Sequence, residues 1–555
     1  MRLGLVVLVA CALGRIATND FTMWDDHATL YKNPVLNPPG WDKLATIWTR
    51  FGADAPMGLY VPFTYTVWSG LAWMGYLETP DNDGIFLNPY VFHGASLVVH
   101  ALAVLLVFEI VRKVVRSDRA ALLGAAVFAV HPVQVETVAW TSGLKDLLCG
   151  MLGFVAVWQF MVSREKESQP GAAGISRRHF AVATVALVLA MLSKPTAMVI
   201  PVVAFVIDWL ALGRDWRSGV RRLWPWFVLS VVCAVSAKLA QPTTGMPTLP
   251  LWTRPFVAGD ALSFYLVKLF FPMTLVIDYA RTPQAIFESG RMFYTPVLSL
   301  LVAAVLVWKR RSAPRVVAGA VVFGVGVSPV LGFTPFMFQF YSTVTDHYLY
   351  IPMLGVALLI ALMADRFRSM NRFRSRAVWG AAGVVVVLLG AKSFVQTKVW
   401  QNDFTLNLHT VTHSPNSLAG NVNIVKHYVA FADQNPSDPR PLKIAEFHAE
   451  RAVELRPDVS WARDTLATLY MKQGRIEEGI EQTREQLRLI DERIGPVGML
   501  RNTTSSRVRL ANYFHQQGRY EEAIEQLQAA LRNRPGDPDL LRSLDIALST
   551  TRPAR

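Results

Sequence analysis

Residues 89–119 read PYVFHGASLVVHALAVLLVFEIVRKVVRSDR. From Pro89 to Val111 the only formal charge is Glu109. At 1.5 Å of rise per residue, a helix over this stretch can cross the ~30 Å hydrocarbon core of a bilayer. Arg112, Lys113, Arg116 and Arg119 follow at once. An apolar run closed by a basic cluster is the mark of a membrane span and its cytoplasmic loop. The same pattern recurs along the first 399 residues. Spans are expected near 2–17, 89–111, 119–133, 144–163, 179–193, 196–212, 222–240, 293–308, 315–332, 347–365 and 377–395. Further basic clusters close alternate loops: Arg164 to Arg178, Arg214 to Arg222, Lys309 to Arg315, and Arg366 to Arg376. The positive-inside rule puts all of them in the cytoplasm. The apolar run at 2–17 is read as a retained helix in preference to a signal peptide.

Composition agrees with this reading. Of 555 residues 52% are hydrophobic and 17% charged, well below the charge of an average soluble protein. The net charge of +14 lies wholly before Trp400, among the apolar runs, while residues 400–555 carry 20 basic and 20 acidic residues. A nucleic-acid binder gathers its basic excess on a polar domain, so that class is excluded. Cys11, Cys149 and Cys233 all lie in apolar runs, with neither a disulfide framework nor metal-ligand spacing. Residues 256–276 (FVAGDALSFYLVKLFFPMTLV) also look like a span, but counting them as one breaks the charge parity. They are read as a re-entrant or interfacial helix interrupted by Pro272. The expected fold is therefore all-α: a polytopic membrane helix bundle of about eleven spans over 1–399, with a cytoplasmic amino terminus. A second, external domain occupies 400–555, and the first external loop runs over 18–88.

Two stretches of the second domain match. Leu466–Leu487 is LATLYMKQGRIEEGIEQTREQL and Leu510–Leu531 is LANYFHQQGRYEEAIEQLQAAL. Small and aromatic residues at these intervals resemble the tetratricopeptide repeat (TPR), a pair of antiparallel helices that stack into an α-solenoid. Ala445, Ala452 and Pro457 mark a degenerate earlier copy. Gly474 and Gly518 are 44 residues apart, so an insertion near Gly495–Asn502 is expected. Such a stack commonly holds a protein or peptide.

The first external loop opens NDFTMWDDHATLYKNPVLNP, residues 19–38. Carboxylates beside a hydrocarbon boundary are costly unless paired or used. A helix cap explains one Asp better than the adjacent Asp25 and Asp26. Two like charges so close raise one apparent pKa, and a desolvated carboxylate can act as general base towards a hydroxyl. The pair could also hold a divalent cation, but Asp25, Asp26 and His27 in a row do not converge well on one ion, so none is required.

Several motifs taken in order carry a resemblance. They are WDD at Trp24–Asp26, LYKNPVL at Leu30–Leu36, PFTYTVW at Pro62–Trp68 and VFAVHPVQVETVAW at Val127–Trp140. KDLL at Lys145–Leu148, SKPTAMVIP at Ser193–Pro201, HYLYIP at His347–Pro352 and KVWQNDFTL at Lys398–Leu406 continue the set. Together they resemble the C-type (GT-C) integral-membrane glycosyltransferases, above all the transmembrane and tetratricopeptide-repeat protein O-mannosyltransferases. The resemblance implies a sugar, mannose-like, taken from a polyprenyl phosphate and joined to a Ser/Thr hydroxyl of an exported protein, with inversion. Where that family tends to have Tyr-Arg-Pro, Lys-Glu and Glu-Arg, this chain has Tyr60-Val61-Pro62, Lys194-Pro195 and Asp346-His347. Two arginines of the family's pattern are thus absent from this chain.

On this reading Asp25 is the base and Asp26 orients it or the sugar. Lys145, Lys194 and His347 are the expected ligands of the donor phosphate, since a departing phosphate needs cations. Lipid-headgroup snorkelling is the alternative for the lysines, and an aromatic belt for His347 with Tyr348 and Tyr350. Trp24, His131, Glu136, Tyr348 and Tyr350 are expected to line the pocket, although His131 could simply cap a helix broken at Pro132. Arg254, Lys268, Arg281 and Arg291 are unranked phosphate candidates. Two rivals remain: a transferase or ligase acting on a lipid or glycan acceptor, and a non-catalytic membrane-anchored TPR scaffold. Short loops favour a bacterial inner membrane with the repeats on the periplasmic side.

Overall fold

The computed structural model describes residues 1–50, 59–81, 83–240, 249–367, 372–492 and 503–551. The expected insertion at Gly495–Asn502 lies outside them. Among the described residues regular structure is helical, apart from an isolated bridge between Tyr76 and Leu87. The chain divides into two compact units at His413 and Ser414, so the helix Asp403–His413 belongs with the first.

Among the described residues of the first unit six helices are long and apolar enough to cross a membrane: Pro89–Val115, Thr141–Glu167, Ala173–Ser193, Trp216–Ala240, Arg291–Lys309 and Arg376–Trp400. The chain is an integral membrane protein. A seventh crossing is available if Asp118–Val130 and Pro132–Ala139 count as one, bent by 51°. Pro132 causes the bend. It lacks an amide donor, and it drives His131 into an extended conformation, with φ −66° and ψ 131°. The other four expected spans are shorter: Arg2–Leu13, Pro195–Ala211, Pro314–Val330 and Met353–Arg366. The count of eleven is thus not reproduced by length. Apolar runs were legible, but 3-10 and π segments such as Pro195–Val199 and Ile207–Ala211 break the helices within them.

Small residues let these helices approach. A Cβ on Gly124 would strike the Ala357 carbonyl, and one on Gly355 the Gly319 carbonyl. This draws the helices at 118–130, 314–327 and 353–366 into backbone contact, the packing that small residues favour in membranes. The stretch 256–276 forms a 17-residue helix, Arg254–Phe270, that ends before Pro272. Its inner face holds Asp260, which accepts from Arg281 and from Thr295 Oγ1 at 2.7 Å. Its outer face presents Phe256, Val267 and Phe270.

The second unit is a stack of helix pairs: Leu418–Gln434 with Arg440–Leu455, Ser460–Lys472 with Ile476–Asp491, and Thr504–Gln516 with Tyr520–Asn533, followed by Pro538–Thr551. Gly474 and Gly518 join the last two pairs at φ 77° and 73°, a conformation that costs any other residue a steric penalty. The repeated Gly-Arg-x-Glu-Glu has a local cause. Arg475 and Arg519 pair with Glu478 and Glu522 while lying over Tyr470 and Phe514, at 4.0 and 4.6 Å. Leu510, Ala511, Phe514, Ala523, Leu527 and Ala530 form the buried seam of the last pair.

Candidate functional site

The loop after the first helix turns sharply at Asp25, whose φ is 65°, a left-handed conformation uncommon outside glycine. The turn is held by the Asp25 carbonyl, which accepts from the amides of Ala28 and Thr29 and from the Thr29 hydroxyl, at 2.9 to 3.0 Å. It sends the two carboxylates to different environments.

Asp26 is buried and saturated. Its Oδ1 accepts from the Ser142 amide at 2.9 Å and hydroxyl at 2.6 Å, and its Oδ2 from the Thr22 amide at 3.1 Å and hydroxyl at 3.2 Å. Burial pushes its carboxyl up to about 7, against the lowering effect of those bonds and with a small push from Asp25. Asp25 is half-buried, and its carboxylate makes no hydrogen bond with the described residues. Its charge bears on the Lys145 ammonium more than any other charge does, and also on the hydroxyls of Tyr65, Tyr341 and Tyr348.

Lys145 begins the helix Leu144–Glu167, with its ammonium 4.6 Å above the Trp140 ring. Lys194 ends the helix Ala173–Ser193. Its ammonium pairs with Asp146 at 2.6 Å and lies 5.4 Å from the Tyr348 ring. The two ammonium groups act on each other and on His347. His347 lies between Trp140 and Tyr348, at ring distances of 5.2 and 4.4 Å, and its Nδ1 meets Glu136 Oε1 at 2.6 Å. Trp24 roofs the group. Its carbonyl accepts from Trp140 Nε1 at 2.6 Å, and its ring packs edge-on against Tyr341 and Phe338.

Asp25, Asp26, Lys145, Lys194, His347, Glu136, Trp24 and Tyr348 therefore gather in one region. His131 and Tyr350 are occupied otherwise. His131 Nδ1 accepts from the Val133 amide at 3.4 Å and its Nε2 lies 3.1 Å from the Leu269 carbonyl, so the ring caps the bend. Tyr350 bonds His100 at 3.0 Å and packs against Phe128 and Phe154 in the bundle core. Of the basic residues left unranked, Arg281 is engaged by Asp260 and Lys268 donates to the Thr274 carbonyl. Among the site residues not foreseen are Trp140, Ser142, Asp146 and Asp346. The last accepts from the Tyr279 hydroxyl at 2.9 Å, and burial pushes its carboxyl up to about 7, with Lys268 opposing. Asp146 stands inside the KDLL motif beside Lys145, the one signal that could have revealed it. Among the described residues no three His, Cys, Asp or Glu side chains are grouped to hold a metal.

Comparison with known proteins bears out the resemblance. The family model described as dolichyl-phosphate-mannose-protein mannosyltransferase matches residues 91–239, and a tetratricopeptide-repeat model matches 505–544. Human protein O-mannosyl-transferase TMTC1 is 22% identical over 69% of this chain and 47% of its own length. Drosophila melanogaster Tmtc2 is 32% identical over 38% of this chain and 20% of its own. This chain spans about half the length of the human relative or less of the others. The oligosaccharyltransferase of Archaeoglobus fulgidus aligns with a TM-score of 0.38 at 14% identity, over 80% of this chain and 59% of that one.

Proposed function

We propose that this membrane protein is a glycosyltransferase that moves a mannose-like sugar from a polyprenyl-phosphate donor to a Ser/Thr hydroxyl of an exported protein, with inversion at the anomeric carbon. The observation that carries the reading is the division of labour in the acidic pair. Asp26 spends all its acceptor capacity on Thr22 and Ser142, while Asp25 keeps a free carboxylate beside Lys145. A carboxylate held by a buried neighbour, unbonded and partly desolvated, is suited to take a hydroxyl proton.

Lys145 and Lys194 supply positive charge for the phosphate, and the aromatic rings of Trp24, Trp140 and Tyr348 supply faces for the sugar. The likeness to protein O-mannosyl-transferases supports mannose and a protein acceptor, and the matched family model supports the lipid-phosphate donor. The catalytic surface lies on the external side, a bacterial periplasm, and the TPR unit presents or recruits the acceptor protein. The transfer requires no divalent cation.

The test is transfer by the purified full chain, in detergent or proteoliposomes, from polyprenyl-phosphate mannose to Ser/Thr peptides. Labelled peptide is expected from the wild type and not from Asp25→Asn. Product on a lipid or glycan instead of peptide would replace the acceptor class. Equal activity in Asp25→Asn would sink the assignment of the base.

A further inference from the structure

Glu136 and His347 form a buried pair; the sequence reading makes His347 a phosphate ligand and Glu136 a pocket residue, and gives neither a part in moving protons. Both side chains are 4% exposed. Glu136 Oε1 meets His347 Nδ1 at 2.6 Å and the Thr345 hydroxyl at 2.7 Å, while Oε2 accepts from the Asp346 amide at 3.0 Å. The Thr345 hydroxyl and the Asp346 amide donate to this carboxylate, and a carboxylate acceptor at 2.6 Å selects the His347 tautomer with its proton on Nδ1. Nε2 is then the basic nitrogen, turned away from Glu136, with no hydrogen bond to the described residues. The charges that act on the ring are those of Lys194 and Lys145. Several polar groups around the pair are engaged, while Asp146 Oδ2 has no hydrogen-bond partner among the described residues. Asp346 bonds Tyr279 and feels Lys268, Asp146 bonds Lys194, and the Tyr265 hydroxyl accepts from the Thr345 amide at 3.2 Å. Tyr348 packs edge-on against the imidazole.

We propose that His347 takes up a proton on Nε2 when a phosphate occupies the site and passes it to the departing phosphate oxygen, with Glu136 as the positioning residue that fixes the ring and balances the imidazolium. This rests on the glycosyl-transfer reading. In the empty site, burial first and then the two ammonium groups oppose a positive charge on the ring. A bound phosphate offsets both, and the fixed Glu136 carboxylate then favours the charged ring. An Nε2 lone pair facing a phosphate oxygen repels it, whereas Nε2–H donates to it. The step balances. The bond from the anomeric carbon to the phosphate oxygen breaks, and its electron pair stays on that oxygen, which takes the Nε2 proton. The acceptor oxygen bonds the anomeric carbon and gives its proton to Asp25. Exchange with water returns a proton from Asp25 to the imidazole, so the cycle closes without another reactant. The product leaves as a monoester carrying the delivered proton.

Nitrogen-15 histidine labelling of the full wild-type chain in detergent reads the ring directly, with decaprenyl monophosphate as the probe. One imidazole is expected to pass from a singly protonated tautomer to imidazolium on adding the phosphate, and His347→Gln is expected to lose that signal. In transfer assays the alkaline limb of the pH–rate profile should move to lower pH in Glu136→Gln and vanish in His347→Gln, which a purely structural role would not produce. Binding and transfer by the wild type with no imidazole converting overturns the proton-delivery proposal alone. Failure of the wild type to bind the monophosphate and to transfer sugar overturns the reading beneath it, and the proposal with it.

Discussion

Asp26 and Ser142, 116 residues apart in sequence, are clamped by two hydrogen bonds to one carboxylate oxygen. The clamp ties the loop after the first helix to the turn that opens Leu144–Glu167, and so fixes Asp25 relative to Lys145. Ser142→Ala keeps the amide bond and loses the hydroxyl bond. It is expected to cost ~1–3 kcal/mol of stability, since the buried Asp26 Oδ1 loses one of its donors, and to lower the transfer rate. Thermal unfolding in detergent, read beside the rate, checks both.

The raised carboxyl of Asp26 makes stability depend on pH. Its folded pKa, about 7, lies above the ordinary value of 3.8, so between those limits the unfolded chain has ionised while the folded chain holds the proton. This group's contribution is therefore full below about pH 4 and falls as pH rises towards 7. Melting temperature should decline over that window in the wild type. Asp26→Asn should remove this component, though it also places an amide against donors and lowers stability throughout. An unchanged slope in that variant would refute the assignment.

Asp25 separates stability from chemistry. Its left-handed backbone costs an Asp roughly 1 kcal/mol or more and costs glycine almost nothing. Asp25→Gly is expected to melt no lower than the wild type while losing about 10²–10⁴-fold in transfer rate, the span of a general base. A variant that unfolds would show that the carboxylate is structural.

The two lysines should respond differently. Lys194 and Asp146 are a buried ion pair, so Lys194→Met strands a carboxylate and is expected to cost ~3–5 kcal/mol, partly restored by Asp146→Asn in the same chain. Lys145 lies over the Trp140 ring and makes no ion pair or hydrogen bond among the described residues, so Lys145→Met should weaken donor binding with little change in melting. Donor KM and melting temperature for the three variants test this contrast.

In the repeats, Gly518→Ala at φ 73° is expected to cost ~1 kcal/mol. Phe514→Ala, in the buried seam, should cost ~3–5 kcal/mol. The measurement is denaturation of the full chain followed by protease sensitivity of residues 414–555.

Much of this architecture follows from local sequence. A run such as Pro89–Val111 can satisfy its backbone only as a helix in a bilayer, whatever its neighbours. The matching stretches at Leu466–Leu487 and Leu510–Leu531 each bury a small-residue seam only by pairing with another helix. Those facts made the two-part all-helical organisation readable, and they singled out Asp25 and Asp26 as acids at a costly depth.

Which acid stays free is not local. It depends on Ser142 arriving from another helix to saturate Asp26, and on a backbone angle at Asp25 that no periodicity encodes. The pairing of Glu136 with His347, 211 residues on, has the same origin, as do the occupied rings of His131 and Tyr350. Sequence alone set which segments leave water, because burial of apolar surface and backbone satisfaction are properties of each run by itself. Tertiary structure alone set which polar groups in the site are spent and which are available, because a hydrogen bond or ion pair needs a partner that only folding brings within 3 Å.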